Sequence, residues 1–162
     1  RERNIAGMQI IYNLLEQEPG RAHIAACRDA GAGVIVRVPH SSGLLEGHYT
    51  TDTEFAANDH RRHRPRAWLV DGLQKVEQLR FLVDARPGAT IGQIALQWIL
   101  ADPAIASTLP NIYNREQLVE FAAASDVAPL TEDELARVQE LYVTNFGLER
   151  SIENAQAAGA VS

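Results

Sequence analysis

Gly33-Val34-Ile35-Val36-Arg37-Val38-Pro39-His40-Ser41-Ser42-Gly43-Leu44-Leu45-Glu46-Gly47 is the stretch that decides the fold of this 162-residue chain. Val34, Ile35, Val36 and Val38 are β-branched and Gly31 and Gly33 punctuate the start, which predicts a strand. The apolar run is nearly continuous, as expected of a parallel strand covered on both faces. Pro39 ends the strand, and the loop that follows offers hydroxyls and backbone N–H groups to an anion.

Two further strands flank it, Met8-Gln9-Ile10-Ile11-Tyr12 and Ile105-Ala106-Ser107-Thr108-Leu109. Helical patterning fills the rest. Positions 21–30 form a helix that stops at Gly31, and Leu69, Leu73, Val76, Leu79 and Val83 recur at helical spacing until Pro87-Gly88. Thr90 caps a helix whose Ile91, Ile94, Ala95, Trp98 and Ile99 share a face. Asn114 caps the next, with Glu116 and Gln117 offering capping-box chemistry, and positions 131–134 open the last. The order β-α-β-long loop-α-α-β-α-α calls for a parallel α/β sheet. Three strands make a poor free-standing parallel sheet, so the pattern reads as the last part of a larger closed barrel.

Composition limits the function. With 46% hydrophobic and 22% charged residues the chain can bury a core of one domain. Fifteen Lys and Arg stand against 21 Asp and Glu, a net charge of −6, which argues against nucleic-acid partners. No apolar run approaches the roughly 18 residues of a membrane helix, so no membrane partner is expected, and the location expected is cytoplasmic. The single cysteine, Cys27, excludes an intramolecular disulfide and reads as an inert thiol. His60-Arg61-Arg62-His63-Arg64-Pro65-Arg66 is a basic cluster. With Asp59 it lacks a further ligand for a metal, and it reads as a solvated loop able to close over a cofactor or substrate. Phe55, Trp68, Phe81 and Trp98 read as core packing.

Three ordered blocks resemble the carboxyl-terminal half of the aldo/keto reductase family: Gln9-x-x-Tyr12-Asn13-Leu14-Leu15, then Pro39-x-x-x-Gly43-Leu44-Leu45-x-Gly47, then Pro110-x-x-x-Asn114-x-Glu116-Gln117-Leu118-x-Glu120. Ala95-Leu96-Gln97-Trp98-Ile99-Leu100 matches the helix before the family's eighth strand, and the likeness covers positions 8–142. The resemblance implies a partial (β/α)8 TIM barrel, strands six to eight, with positions 1–146 as the half-barrel and 147–162 as a tail. It also implies hydride transfer between NADP(H), with NAD(H) open, and a small aldehyde or ketone.

By the same resemblance Gln9 would bond the nicotinamide carboxamide. Arg37, Val38, Pro39, His40, Ser42, Gly43 and Leu45 would line the nicotinamide ribose and pyrophosphate. Asn111, Tyr113 and Asn114 would face the adenosine ribose, and Gln117 and Glu120 the adenine. Arg37 stands where many members stack an aromatic ring, Asn111-Ile112-Tyr113 lacks the usual cation for a 2′-phosphate, and Phe121 replaces a frequent Asn. The family's Asp, Tyr, Lys and His come from the first half of the barrel, and none of Tyr12, Tyr49, Tyr113 or Tyr142 sits in that motif. No catalytic residue is therefore assigned, and the chain is expected to need the other half-barrel or to self-associate. The rival expectation is a non-catalytic half-barrel acting as a nucleotide-binding or regulatory or structural subunit.

Overall fold

The computed structural model describes residues 5–149. Its order is β1 (Gly7–Ile11), α1 (Gly20–Asp29), β2 (Gly33–Arg37), α2 (Arg66–Gln78), α3 (Arg80–Asp84), α4 (Ile91–Leu100), β3 (Ile105–Leu109), α5 (Arg115–Ala122) and α6 (Glu132–Val143). Short 3-10 turns at Ser41–Glu46 and His60–His63 break up the long loop after β2. The part of the expected tail from position 150 onward lies outside the described residues.

The three strands form one parallel sheet in the order β1-β2-β3. Gln9 pairs with Ile35 and Ile35 with Ser107, while Ile11, Arg37 and Leu109 form the row at the carboxyl ends. Parallel strands need helical crossovers, and α1 and the α2–α4 block supply them. This is a partial (β/α)8 barrel.

Within this chain only one of the two faces of β2 expected to be covered is buried. Val34 and Val36 are fully buried, whereas Ile35 is 39% exposed and Arg37 faces solvent. The buried face shares one apolar cluster with Leu14 of the turn after β1 and with Ile24, Leu82, Ile94, Ile99 and Val138 of the helices. The other face, bearing Gln9, Ile11, Ile35, Arg37 and Leu109, is open. A run of branched residues cannot distinguish one covered face from two, because both faces are filled from the same apolar set.

The expected helix over positions 69–83 is two helices, α2 and α3, with Leu79 at the junction and fully buried. The α4 and α6 starts are reciprocal capping boxes: Thr90 with Gln93, and Thr131 with Glu134. Arg86 fastens the lower helices together. It donates to Glu134 through both terminal nitrogens at 2.8 and 2.6 Å, and to the carbonyls of Leu82, Ala128 and Pro129.

Candidate functional site at the carboxyl edge of the sheet

The loops after β1, β2 and β3 meet beyond the carboxyl ends of the strands. Asn13, fully buried, ties the first two. Its Oδ1 accepts from the N–H groups of Leu15 and Glu16, and its Nδ2 donates to Val38 O at 3.0 Å and Glu16 Oε2 at 2.8 Å. Ser41 Oγ donates to the same Glu16 oxygen at 3.1 Å.

The turn held this way is backbone-strained. Val38, Ser41 and Ser42 have φ of 56°, 48° and 57°, and Gly43 follows at 99°. Left-handed backbone is costly for any residue with a Cβ, and a β-branched valine there is an outlier. Such strain persists only where neighbours over-determine it. Here Tyr49 OH donates to Ser42 O at 3.2 Å, and Arg61 Nη1 approaches the same carbonyl at 3.4 Å. A Cβ on Gly43 would collide with the Tyr49 ring and its hydroxyl, and the φ of 99° itself favours glycine. Arg61 also donates to Tyr49 OH and grips Asp59, whose carboxyl it holds at a pKa of about 2.

The second and third loops are joined by side chains. Glu46 Oε2 accepts from Gln117 Nε2 at 3.2 Å, and Gln117 Oε1 accepts from Tyr113 N–H at 2.9 Å. The Asn114 side chain accepts from Gln117 N–H, as a helix cap should, but the expected reciprocal bond goes to Tyr113 rather than to the cap residue. Glu120 accepts from Thr90 Oγ1 at 2.6 Å, which locks α5 onto the start of α4. His40 lies under this pair of loops, its ring 4.4 Å from that of Phe121. Its Nε2–H donates to Gly92 O at 3.1 Å, so Nδ1 carries a lone pair, and burial lowers its pKa. Nδ1 is 3.9 Å from Glu46 Oε1, and burial raises the Glu46 pKa.

The expected cofactor residues divide into two groups. Gln9 and Arg37 are exposed on the open sheet face, and neither side chain bonds to another described residue. Ser42 is half-buried and Asn111, Tyr113 and Asn114 are exposed, Tyr113 by 70%. The side chains of Pro39, His40 and Leu45 are buried in the protein, and those of Gln117 and Glu120 are bonded to neighbouring loops. Direct contact of these five with a ligand was the expectation, and in the structure they also shape the turn and the α5 start. The tyrosines divide likewise: Tyr12 stacks on Trp98 at 4.8 Å and Tyr142 OH accepts from the N–H groups of Gln17 and Glu18.

Sequence reading missed Glu16, Glu46, Asp59 and Arg61 as site-builders. The Asn13-x-x-Glu16 spacing carries a local signal, since an Asn side chain caps the N–H groups two and three residues on. Glu46 meets a partner 71 positions away, which no local pattern foretells.

The donors left over suit a dinucleotide. An amide and a guanidinium without side-chain partners among the described residues share one sheet face, and a left-handed serine turn and a capped helix start lie at the same edge.

Comparison with known proteins follows the same lines. The model of the aldo/keto reductase family matches residues 2–143. The aldo-keto reductase str7 of Strobilurus tenacellus is 33% identical over 144 residues, covering 85% of this chain and 42% of that protein. A probable voltage-gated potassium channel subunit beta of Arabidopsis thaliana is 30% identical over 105 residues, covering 62% of this chain and 32% of its own. The glycerol dehydrogenase AKR11B4 of Gluconobacter oxydans superposes with a TM-score of 0.74 at 18% identity, covering 93% of this chain and 46% of that one. The chain thus spans less than half the length of each of these three proteins.

Proposed function

The chain belongs to the aldo/keto reductase family, and on that premise we propose that it carries most of the nicotinamide-dinucleotide site of an oxidoreductase acting on a small aldehyde or ketone. The observation that carries this reading is the pair of unpaired side chains, Gln9 and Arg37, on one open sheet face beside the 41–43 turn. When bound, the dinucleotide supplies or accepts the hydride. Gln9 orients the nicotinamide through its amide. Arg37 offers a planar fork of donors to the ribose or pyrophosphate in place of an aromatic ring. Ser42 and the helix start at Asn114 face the remaining phosphate and ribose. Pro39, His40, Leu45, Gln117 and Glu120 hold these donors in place. Asn111, Ile112 and Tyr113 contribute no cation, which leaves NADP(H) and NAD(H) both open.

Proton transfer to the carbonyl oxygen is assigned to residues outside this chain, in the half-barrel that would cover Ile11, Ile35 and Leu109. Those three side chains are 45%, 39% and 47% exposed and need a cover. A cytoplasmic, single-domain half-barrel over positions 1–146 fits this reading. Titration calorimetry with NADPH and NADH on the protein as its source cell makes it tests the proposal. Saturable binding of either supports it, and heat of dilution alone with both removes it.

A second reading, a non-catalytic nucleotide-binding or regulatory subunit, is favoured by the name of the Arabidopsis relative, a channel subunit. It requires dinucleotide binding without reduction of any carbonyl compound.

A further inference from the structure

The loop between the 41–47 turn and α2 is not merely solvated. It folds back into a recess of about 540 Å³, floored by Phe55, Trp68 and Leu69 and walled by Arg61, Arg62, Arg64 and Arg66. Phe55 and Trp68 are half-buried parts of this recess, not of the central core, with ring centroids 6.2 Å apart. The volume lies within the range of small-molecule sites.

The arginines differ in how they are engaged. Arg61, 5.0 Å over Phe55, spends its edge donors on Asp59, Tyr49 and Ser42. Arg66 donates to Thr53 O at 3.0 Å. Arg64 lies 4.8 Å over the Trp68 ring, and its guanidinium bonds to no other described residue; that of Arg62 is equally free. A guanidinium over an indole ring is attracted by the ring face while its N–H groups stay unspent, which leaves them available to an anion. Glu54 is the sole carboxylate among the lining residues. A recess this basic runs against the chain's net charge of −6 and concentrates anions locally.

We propose that this recess binds a small organic anion, a carboxylate or phosphate on a flat apolar body, with the acid group on Arg62 and Arg64 and the body beside Phe55 and Trp68. The recess adjoins the proposed dinucleotide site through Arg61, which lines it and donates to Ser42 O, but the anion is assigned to Arg62 and Arg64, which that site does not use. Its ligand is either a substrate acid group or an effector, the acidic chemistry being common to both.

Trp68 reports occupancy. In the protein as its source cell makes it, 4-nitrobenzoate should quench tryptophan fluorescence saturably, and the neutral 4-nitrobenzamide should bind about tenfold or more weakly. The saturable component should vanish in Trp68→Phe. Arg62→Ala and Arg62→Ala/Arg64→Ala should each weaken the benzoate and leave the amide unchanged. Both arginines are exposed, so far-UV circular dichroism should be unaltered. Equal quenching by the two probes, no saturation, or full affinity in the double variant would overturn the proposal. So would displacement of the benzoate by NADPH or NADH, which would make the recess part of the dinucleotide's own path.

Discussion

Gln117 Nε2 donates to Glu46 Oε2 across 71 positions of sequence, at 3.2 Å, and this bond fixes the start of α5 against the loop after β2. Both partners are largely removed from water: Gln117 is 8% exposed and the Glu46 side chain 13%. The Gln117 amide also accepts from Tyr113 N–H, so one side chain holds two loops.

Gln117→Ala removes a donor from a carboxylate and an acceptor from a backbone N–H. We expect a loss of about 2 kcal/mol in urea unfolding. Leu118→Ala, at a side chain 52% exposed, should stay within about 0.5 kcal/mol of the parent. Equal effects at the two positions would show that the bond carries no weight.

His40 gives a pH signature. Burial lowers its pKa while its ring faces Glu46, Glu120 and Phe121. The unfolded chain therefore takes up a proton near pH 6.5 that the folded chain refuses, and stability falls as pH drops through that value toward the folded pKa. Between about pH 7.5 and about pH 6 the slope cannot exceed about 1.4 kcal/mol per pH unit for one group. His40→Gln, which keeps a donor for Gly92 O, should flatten it, as read from urea midpoints at each pH.

The Arg86–Glu134 pair contributes to the acid limb. Arg86 holds the Glu134 carboxyl at a pKa of about 2, so the pair's contribution is complete above the ordinary carboxylate value. It is lost as pH falls from there toward 2. Arg86→Ala should cost about 3 kcal/mol near neutrality, because three carbonyls and a carboxylate lose their donor together. Glu134→Gln should reduce the loss of stability measured between about pH 4.5 and about pH 3.

Gly43→Ala tests the strained turn. The new methyl group meets Tyr49, and the backbone must leave φ of 99° or bear the strain. A loss of about 2 kcal/mol in thermal or urea unfolding is expected, whereas Gly88→Ala, at φ of 88° with open space around it, should cost only the backbone penalty of about 1 kcal/mol.

Much of the fold was legible because each element carries its own punctuation. Gly31 and Gly33 bracket the entry to β2, Thr90 and Thr131 start helices with reciprocal caps, and Pro87-Gly88 lies in the turn that follows α3. The break at Leu79 was not legible, since a leucine at helical spacing satisfies the periodicity on either side of a kink. The site was legible as a set of loops but not as a division of labour. Which of Gln9, His40 and Gln117 faces outward depends on strand pairing and on Glu46, neither of which is local. The recess at Phe55 and Trp68 was hidden for the opposite reason, because an aromatic side chain gives the same sequence signal in a core and on a pocket floor.

The central claim is that Gln9 and Arg37 are spent on a dinucleotide and not on the fold. The most direct measurement is calorimetric titration of NADPH and NADH into the parent and into Gln9→Ala/Arg37→Ala, with urea unfolding of both. Because both side chains are exposed and unpaired, the account predicts unfolding within about 0.5 kcal/mol of the parent and dinucleotide affinity lower by about tenfold or more. Unchanged affinity in a stably folded double variant would contradict it.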